Sequence, residues 1–295
     1  MGHNLINTDR LSLLRSELDI EHLDAFVLAA ADPHGSRIVA PHWNDVAWLT
    51  TGRLAAGLVA VTNSKVAVWT ADEEKPLKLC DDSIEIILGN MLPEEWLGHA
   101  LNDIDGAIVG VDGRVTPMRT AKRMESGLRC RGGINLRMNF NPVDRLWHDR
   151  PALPAAPLYP NISGTTIASR ISCARNALRD CHCDGMLVTS LTDIARLIGL
   201  DEPVAGCYPS FDAFMVITPD EVTLYINKVQ VSALLASSLR SGGVEVRPYE
   251  ELVEGLADYF AYNILVDPST CPVLLPPHIP RRTHIEWLPS PLCTQ

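Results

Sequence analysis

The sequence predicts an α/β fold of two duplicated domains, each a mixed sheet flanked by helices, and three observations support this prediction. An amphipathic helix, a short apolar strand, a helical turn and a two-stranded hairpin follow one another near the start of the chain and again from Arg170 onwards. The two copies lie about 150 to 160 residues apart, which indicates a duplicated domain and excludes a short-period solenoid. A chain of 295 residues also has the size at which one hydrophobic core gives way to two.

In the first domain, predicted helices and strands alternate. Leu11, Leu14 and Leu18 recur at helical spacing after Asp9, which is suited to cap that helix. The strand that follows, at 25–30, is apolar throughout, as expected of a strand covered on both faces. The other predicted elements are a helical turn at 45–50, a hairpin at 57–70, a helix at 72–78, a strand at 84–88, a helix beginning near 93, a strand at 107–112 and a basic helix at 116–128.

A proline-rich stretch at 141–157 predicts an extended connector, so we place the boundary between domains 1–150 and 151–295. We expect Trp147, inside this stretch, to pack at the domain seam. The predicted elements of the second domain are helices at 166–181 and 191–200, a hairpin at 213–227, a helix at 230–239, a helix at 249–259, and strands at 186–189, 244–246 and 264–267. The last segment, 276–295, is rich in proline and predicts a linker or a loose terminus.

Composition excludes several classes of partner. A net charge of -11, with no cluster of Lys and Arg, argues against a nucleic-acid interface. No stretch approaches the length of roughly 18 apolar residues that a membrane span needs, and the polar start does not resemble a signal peptide. We therefore expect no membrane association and a cytoplasmic location.

Motifs that carry chemistry are scarce. The nucleophile-elbow, dinucleotide-binding, phosphate-loop and zinc-protease patterns do not occur in the sequence. Cys173 precedes a Cys181-His182-Cys183 run, but this spacing is unusual for a zinc site and no second pair lies nearby. The Asp201 and Asp212 pair lacks the following His and Glu that a two-metal hydrolase requires. We therefore predict neither catalytic residues nor a metal site in this chain.

A turn cluster at 32–36 follows the carboxyl end of the first strand, where open α/β sheets place binding loops. His34 stands in this cluster, in what the sequence indicates is an exposed loop. A ligand contact and a plain loop histidine are both compatible with that position. The same two interpretations apply to His42, which stands beside Trp43.

The order of five segments resembles a known family. These segments are NPVDRLWHDRPALP at 141–154, DIARLIGL at 193–200, AFMVITPDEVTLYI at 213–226, ILVDPST at 264–270 and LPSPL at 288–292. Together they resemble the two non-catalytic N-terminal domains of three-domain Xaa-Pro aminopeptidases of peptidase family M24. Those domains are related to the creatinase N-terminal domain, and the resemblance implies a ribonuclease H-like fold in both copies.

In that family a third, pita-bread domain follows the LPSPL-like segment and holds two manganese or zinc ions through two Asp, one His and two Glu. The resemblance therefore implies a chain without its own cofactor, whose partners are a catalytic domain or full-length parent, a second copy in a homodimer, and a peptide with proline second. It also implies that the two domains shape substrate access. Entrance candidates are His34, Ser36, Trp43 and Arg53.

The first domain departs from the family pattern in two loops. Residues 51–57 replace a glycine-rich loop, and residues 70–74 replace a Thr-Asp-Gly-Arg-Tyr-like segment. Two alternatives therefore stay open. One is a stand-alone pseudo-enzyme that binds peptides or proteins, for which the acidic surface suits basic partners. The other is a small-molecule enzyme whose ligand lies beside His34 or Ser190.

Overall fold

The computed structural model describes residues 5–70, 84–161, 164–201, 207, 209–259 and 263–294. The chain forms two compact units, which we call the first unit, Met1–Asp32 with Val39–Pro151, and the second unit, Pro33–Ile38 with Ala152–Gln295. The described part of each contains a six-stranded mixed sheet with helices packed on it. The predicted α/β class is confirmed. The sequence gives no sign that Pro33–Ile38 belongs to the second unit.

The first sheet has the strand order β4-β3-β2-β1-β5-β6 in the described part of the first unit. Strand β1 pairs antiparallel with β2, and β2 with β3, whereas the other neighbours are parallel. The elements are α1 Thr8–Ile20, β1 Ala25–Ala29, α2 Asp45–Leu49, β2 Leu58–Thr62, β3 Val66–Trp69, β4 Ile84–Ile87, α3 Pro93–Ala100, β5 Ile108–Val111, α4 Met118–Arg129, β6 Asn135–Arg137 and α5 Val143–Leu146. A 3₁₀ turn at Pro41–Trp43 precedes α2.

The apolar pattern of the first unit explains its layers. Alternate residues of β1 face opposite sides, so Phe26 and Leu28 join the core under α1, whereas Ala25 and Val27 join the core under α3 and α4. This arrangement confirms that β1 is covered on both faces. The cap of α1 is Asn7, whose side chain accepts a hydrogen bond from the Arg10 amide, so the prediction of Asp9 as the cap is wrong.

The second sheet repeats the first strand for strand in the described part of the second unit, with the order β10-β9-β8-β7-β11-β12. Its elements are α6 Ile167–Asp180, β7 Gly185–Val188, α7 Leu191–Ile198, β8 Ala213–Ile217, β9 Val222–Ile226, α8 Ala233–Ser241, β10 Glu245–Arg247, α9 Leu252–Gly255, β11 Asn263–Val266 and β12 His284–Trp287. Turns of 3₁₀ helix lie at Lys228–Gln230, Tyr249–Glu251, Leu256–Asp258, Pro276–His278 and Pro291–Thr294.

The duplication extends to single hydrogen bonds. The Asp24 carboxylate accepts a bond of 2.8 Å from the Ile108 amide at the entrance of β5. Asp184 accepts one of 2.9 Å from the Asn263 amide at the entrance of β11. His22 and His182, which end the preceding helices in the two units, both have left-handed backbones, with φ of 54° and 57°. The two units are therefore copies of one fold.

The tail of the chain is an integral part of the second unit, so the prediction of a linker or loose terminus for 276–295 is wrong. His284–Trp287 is the edge strand β12, which pairs in parallel with β11 over four residues. Leu292 is buried and packs into the hydrophobic core of this unit. The prolines that suggested a linker flank β12, where edge strands tolerate them.

Two other predicted elements differ from the structure, and a third lies outside the described residues. The segment 141–157 is not wholly extended, because α5 occupies Val143–Leu146 within it. The helix predicted at 249–259 is a short α9 between two 3₁₀ turns. The helix predicted at 72–78 lies outside the described residues.

Over the residues that are described, no helix has the length and apolar character that crossing a bilayer would need.

Candidate functional site

Each unit contains a cluster of buried polar side chains where its helices meet the carboxyl ends of its parallel strands. In the first unit the cluster centres on Asn141, and we call it the Asn141 cluster. The Asn141 amide nitrogen donates to Asp45 Oδ2 at 2.7 Å and to Asp112 Oδ2 at 2.9 Å. Its oxygen accepts from the Val143 amide at 2.9 Å. One amide thus joins the start of α2, the end of β5 and the start of α5.

Two arginines complete the Asn141 cluster. Arg114 pairs with Asp112 and with Asp144, each at 2.7 Å. Arg150 pairs with Asp144 at 2.9 Å and lies 3.4 Å from Asp45 Oδ1. The two guanidinium groups offset two of the three carboxylate charges, while Arg114 and Asp144 are themselves exposed to solvent.

Asp45 is the most perturbed carboxyl group of this cluster. Burial raises the pKa of Asp45 to about 7, even though the Asn141 hydrogen bond and the charge of Arg150 lower it. The charges of Asp112 and Asp144 raise that pKa further. Within the described structure, Asp45 Oδ1 makes no hydrogen bond and has only the ion-pair contact with Arg150 at 3.4 Å. The group therefore titrates near neutral pH in the folded protein.

The second unit has a smaller version, which we call the Ser290 cluster. The Ser290 hydroxyl donates to Asp193 Oδ2 at 2.8 Å, and the Ser290 amide donates to Asp267 Oδ2 at 2.9 Å. Asp193 lies on α7 as Asp45 lies on α2, and Asp267 follows β11 as Asp112 follows β5. A serine hydroxyl and amide thus replace the asparagine side chain at the equivalent position.

The carboxylates of these clusters do not fit the two-metal set that the family resemblance implies. Their inward oxygens accept hydrogen bonds from amide and hydroxyl donors, which would have to leave before a cation could enter. The described residues contain no group of three or more His, Cys, Asp and Glu side chains arranged to hold a metal ion. Asp201 accepts from Asn161 at 3.1 Å, and Asp212 lies 3.4 Å from His34 Nε2. The clusters act as structural junctions.

His34 lies in the second unit, and the expectation of an exposed loop residue is wrong, because only 2% of its surface is exposed. Its Nδ1 lies 3.1 Å from the Thr189 carbonyl oxygen, which assigns the proton to Nδ1. Its Nε2 faces Asp212 Oδ1 at 3.4 Å and the Tyr249 hydroxyl at 3.3 Å. The ring packs 4.5 Å from Phe214, measured between centroids. We call these residues the His34 cluster.

The four entrance candidates divide between the units. Ser36 belongs with His34 to the second unit and is half-buried. Trp43 and Arg53 belong to the first unit, where Trp43 is half-buried against His42 and Arg53 is exposed. Their role at a substrate entrance stays a prediction.

Sequence reasoning missed the residues at the centres of both junction clusters. Asn141 and Ser290 each precede a proline and a buried aliphatic residue, in Asn141-Pro142-Val143 and Ser290-Pro291-Leu292. An alignment of the two copies with each other would have placed these two tripeptides together. The sequence suggests only a metal-ligand role for Asp212, because its contact His34 lies far away in the sequence.

The comparison with protein families gives a match to the creatinase/prolidase N-terminal domain over residues 149–295. Over these residues the chain belongs to that family. Aminopeptidase P2 of Arabidopsis thaliana is 24% identical over 266 residues, which are 86% of this chain and 37% of the plant protein. A probable Xaa-Pro aminopeptidase P of Tuber melanosporum is 29% identical over 271 residues, 88% of this chain and 43% of the fungal protein. The resemblance to Xaa-Pro aminopeptidases is confirmed.

A solved structure supports the same fold. The X-prolyl aminopeptidase of Caenorhabditis elegans, described as a cytosolic enzyme with a di-nuclear active site, superposes with a TM-score of 0.82 at 19% identity. The superposition covers 95% of this chain and 50% of the nematode protein. The chain therefore spans half or less of the length of each of these three relatives.

Proposed function

We propose that the chain is the non-catalytic, N-terminal two-domain portion of an Xaa-Pro aminopeptidase. The observation that carries the proposal is the match of nearly the whole chain to about half of an X-prolyl aminopeptidase, with a TM-score of 0.82. A single continuous fold match of this extent includes both units, whereas a stand-alone relative of one domain would match only one of them.

The chemistry of the buried clusters supports a structural role for this portion. Asp45, Asp112, Asp193 and Asp267 each accept a hydrogen bond from Asn141 or Ser290, which fixes them as junctions between helices and strands. We place the manganese or zinc ions of the parent enzyme in a separate catalytic domain, as the family resemblance implies.

In that parent, the proposed activity is removal of an N-terminal residue that precedes proline. The two units narrow the route to the metal centre and contribute to a homodimer, and His34, Ser36, Trp43 and Arg53 are the entrance candidates. We place the parent in the cytosol, by analogy with the nematode enzyme. The peptide with proline second is the proposed substrate of the whole protein, and this chain supplies selectivity without the reacting groups.

An aminopeptidase assay tests the non-catalytic role. The purified chain is incubated with peptides that carry proline second, with manganese or zinc added, and the C. elegans X-prolyl aminopeptidase serves as the positive control. We expect no release of the N-terminal residue above the blank. Metal-dependent release that a chelator abolishes, and that copurifies with the folded chain, would contradict the proposal.

A further inference from the structure

Residues 147–151 are the last segment of the first unit, and we call this segment the strap. The next residue, Ala152, begins the longer segment of the second unit. The strap follows α5 and contains no helix or strand of its own. The backbone hydrogen bonds donated by Trp147 and His148 return to α5. Side-chain contacts therefore decide whether the strap stays closed on the first unit.

Arg150 is the main polar anchor of the strap. Its guanidinium donates to the His42 carbonyl oxygen at 3.0 Å, pairs with Asp144 at 2.9 Å and lies 3.4 Å from Asp45 Oδ1. The same group lies 4.7 Å from the centre of the Trp147 ring. Only 15% of the Arg150 side chain is exposed. One side chain thus ties the strap to a backbone oxygen and to two carboxylates.

Two weaker contacts assist Arg150. The Trp147 ring packs against the hydrophobic core of the unit, 6.4 Å from the ring of Trp48. The His42 Nδ1 lies 2.7 Å from the Pro151 carbonyl oxygen at the end of the strap. The strap is therefore closed by a few side chains, most of which meet at the Asn141 cluster.

Asp45 is the carboxylate of that cluster whose charge is least compensated. Asp112 and Asp144 each pair with Arg114 at 2.7 Å. The guanidinium of Arg150 stays 3.4 Å from Asp45 Oδ1, an atom that makes no hydrogen bond within the described structure. Because two guanidinium groups face three carboxylates, one negative charge is left over, and this geometry places it on Asp45. Burial raises the pKa of Asp45 to about 7.

The ionised form of Asp45 is disfavoured beneath the closed strap. Burial is the largest cause of the raised pKa and outweighs the attraction of Arg150. Since Arg150 lies against Asp45 Oδ1, opening of the strap admits water to this carboxyl group and returns its pKa toward the ordinary value of 3.8. The open state therefore releases the proton at lower pH, and a rise of pH through about 7 shifts the equilibrium toward opening.

We propose that the strap opens from the first unit when Asp45 loses its proton. Opening frees the segment that leads into Ala152 and so lengthens the free connector between the units. The proposal concerns the first unit alone and does not depend on the proposed aminopeptidase role. The other charged and titratable groups around Asp45 and the strap are Asp112, Arg114, Asp144, Arg150, His42, His148 and Asp149.

Chymotrypsin measures how often the strap opens, because it cleaves after Trp147, which is half-buried when the strap is closed. The full chain is digested at pH values from 6 to 8, and cleavage between Trp147 and His148 is quantified by mass spectrometry. Each rate is divided by that of the free peptide 141–151 at the same pH, which removes the pH dependence of the protease. We expect this ratio to rise by up to about tenfold from pH 6 to pH 8.

Three variants identify the titrating group. Asp45→Asn keeps an oxygen that accepts from Asn141 but cannot ionise, so its ratio should not change with pH. Asp144→Asn is the matched control, because it removes a carboxylate that pairs with Arg150 and leaves Asp45 in place. It should raise cleavage at every pH and retain the increase with pH. His42→Gln keeps a donor for the strap and should also retain that increase. Thermal melting at pH 6 confirms that each variant is folded.

Three outcomes would overturn the proposal. The first is a ratio that stays constant from pH 6 to pH 8 in the original chain. The second is an increase with pH that Asp45→Asn retains or that His42→Gln abolishes, because another group would then control the strap. The third is an equal acceleration of cleavage after Phe26, a fully buried residue of β1, because the whole unit and not the strap would then be opening.

Discussion

Asp45 shows how one buried carboxyl group makes the first unit sensitive to pH. The ordinary pKa of such a carboxyl group, which it has in the unfolded chain, is 3.8, whereas burial raises the pKa to about 7 in the folded protein. Between these values the folded state holds a proton that the unfolded state has released. The stability that this proton provides is therefore complete below pH 3.8 and is lost as the pH rises through about 7.

Asp45→Asn removes this titration. The free energy of unfolding of the variant, relative to that of the original chain, should therefore increase from pH 5 to pH 8. The substitution removes a slope in the free energy of unfolding against pH that is at most about 1.4 kcal/mol per pH unit. Five of the tryptophans, Trp43, Trp48, Trp69, Trp96 and Trp147, lie in the first unit, so denaturation followed by tryptophan fluorescence reports on it. Ser126→Ala, exposed on α4, is the control. An equal stability difference at both pH values would exclude Asp45 as the titrating group.

His34 holds Pro33–Ile38 within the second unit through its contacts with Thr189, Asp212, Tyr249 and Phe214. Gly35 fits there because a side chain would meet Thr270 at 3.3 Å, and its φ of +66° also favours glycine. The segment is thus fixed at two consecutive positions.

His34→Ala should release this segment, because it removes the ring from Phe214 and leaves the buried Asp212 without the imidazole. Arg37 is exposed, so trypsin cleavage after it measures how often the segment opens. We expect cleavage to accelerate roughly tenfold or more, equivalent to a loss of at least about 1.4 kcal/mol of local stability. Ser36→Ala is the control for a change within the same segment. Unchanged cleavage after Arg37 in His34→Ala would mean that the imidazole does not hold the segment.

At the scale of elements, the two junction clusters follow the edge strands β6 and β12 in the chain. Each strand leads into a polar residue, a proline and a buried aliphatic residue, and the polar residue bonds both to a helix and to the neighbouring strand. The Asn141 amide side chain separates two carboxylates, whereas Ser290 uses its hydroxyl for one and its backbone amide for the other.

This difference predicts unequal costs for the equivalent substitutions. Asn141→Ala leaves Asp45 and Asp112 without their shared donor and should destabilise the first unit by about 3 kcal/mol. Ser290→Ala removes the hydroxyl that donates to Asp193 and accepts from the Leu292 amide at 3.3 Å, but keeps the backbone bond to Asp267, and should destabilise the second unit by about 1–2 kcal/mol. Tryptophan fluorescence measures the first effect, and amide hydrogen exchange of β11 measures the second.

Ser269→Ala is the control, since only its backbone amide bonds to Asp267. If Ser290→Ala proves as costly as Asn141→Ala, the charge-separating role of Asn141 would be wrong.

How much the sequence predicts depends on the strength of local patterns. The leucines of α1 and the uninterrupted apolar run of β1 identify their elements directly, because period and burial agree. Strands β6 and β12 are only three and four residues long, so their identity depends on pairing with β5 and β11, and local pattern does not indicate it. Tertiary contacts alone define these edges.

The candidate sites show the same limit. His34 is only one residue of a turn cluster in the sequence, and its partners Asp212 and Tyr249 are brought to it by the fold of the second unit. Asn141 and Ser290 were already part of the segments that carry the family resemblance, but their bonding role depends on residues distant in sequence. The sequence alone therefore does not predict which distant segments bury these side chains or form hydrogen bonds with them.

At the scale of the whole molecule, the two units repeat one fold, and most of the chain is similar in sequence and fold to part of Xaa-Pro aminopeptidases. The junction clusters give each copy its own closed polar network. The proposed role is that of a non-catalytic portion that shapes peptide access to a catalytic domain, with the reacting groups supplied by that domain.

The size of the native protein tests this central claim most directly. Immunoblotting of extracts from the source cells, with an antibody raised against the purified chain, compares the native protein with the 32.3 kDa expected for these residues alone. The proposal predicts a band far above that mass, whose immunoprecipitate releases N-terminal residues that precede proline. A single band at 32.3 kDa, with no such activity in the immunoprecipitate, would contradict it.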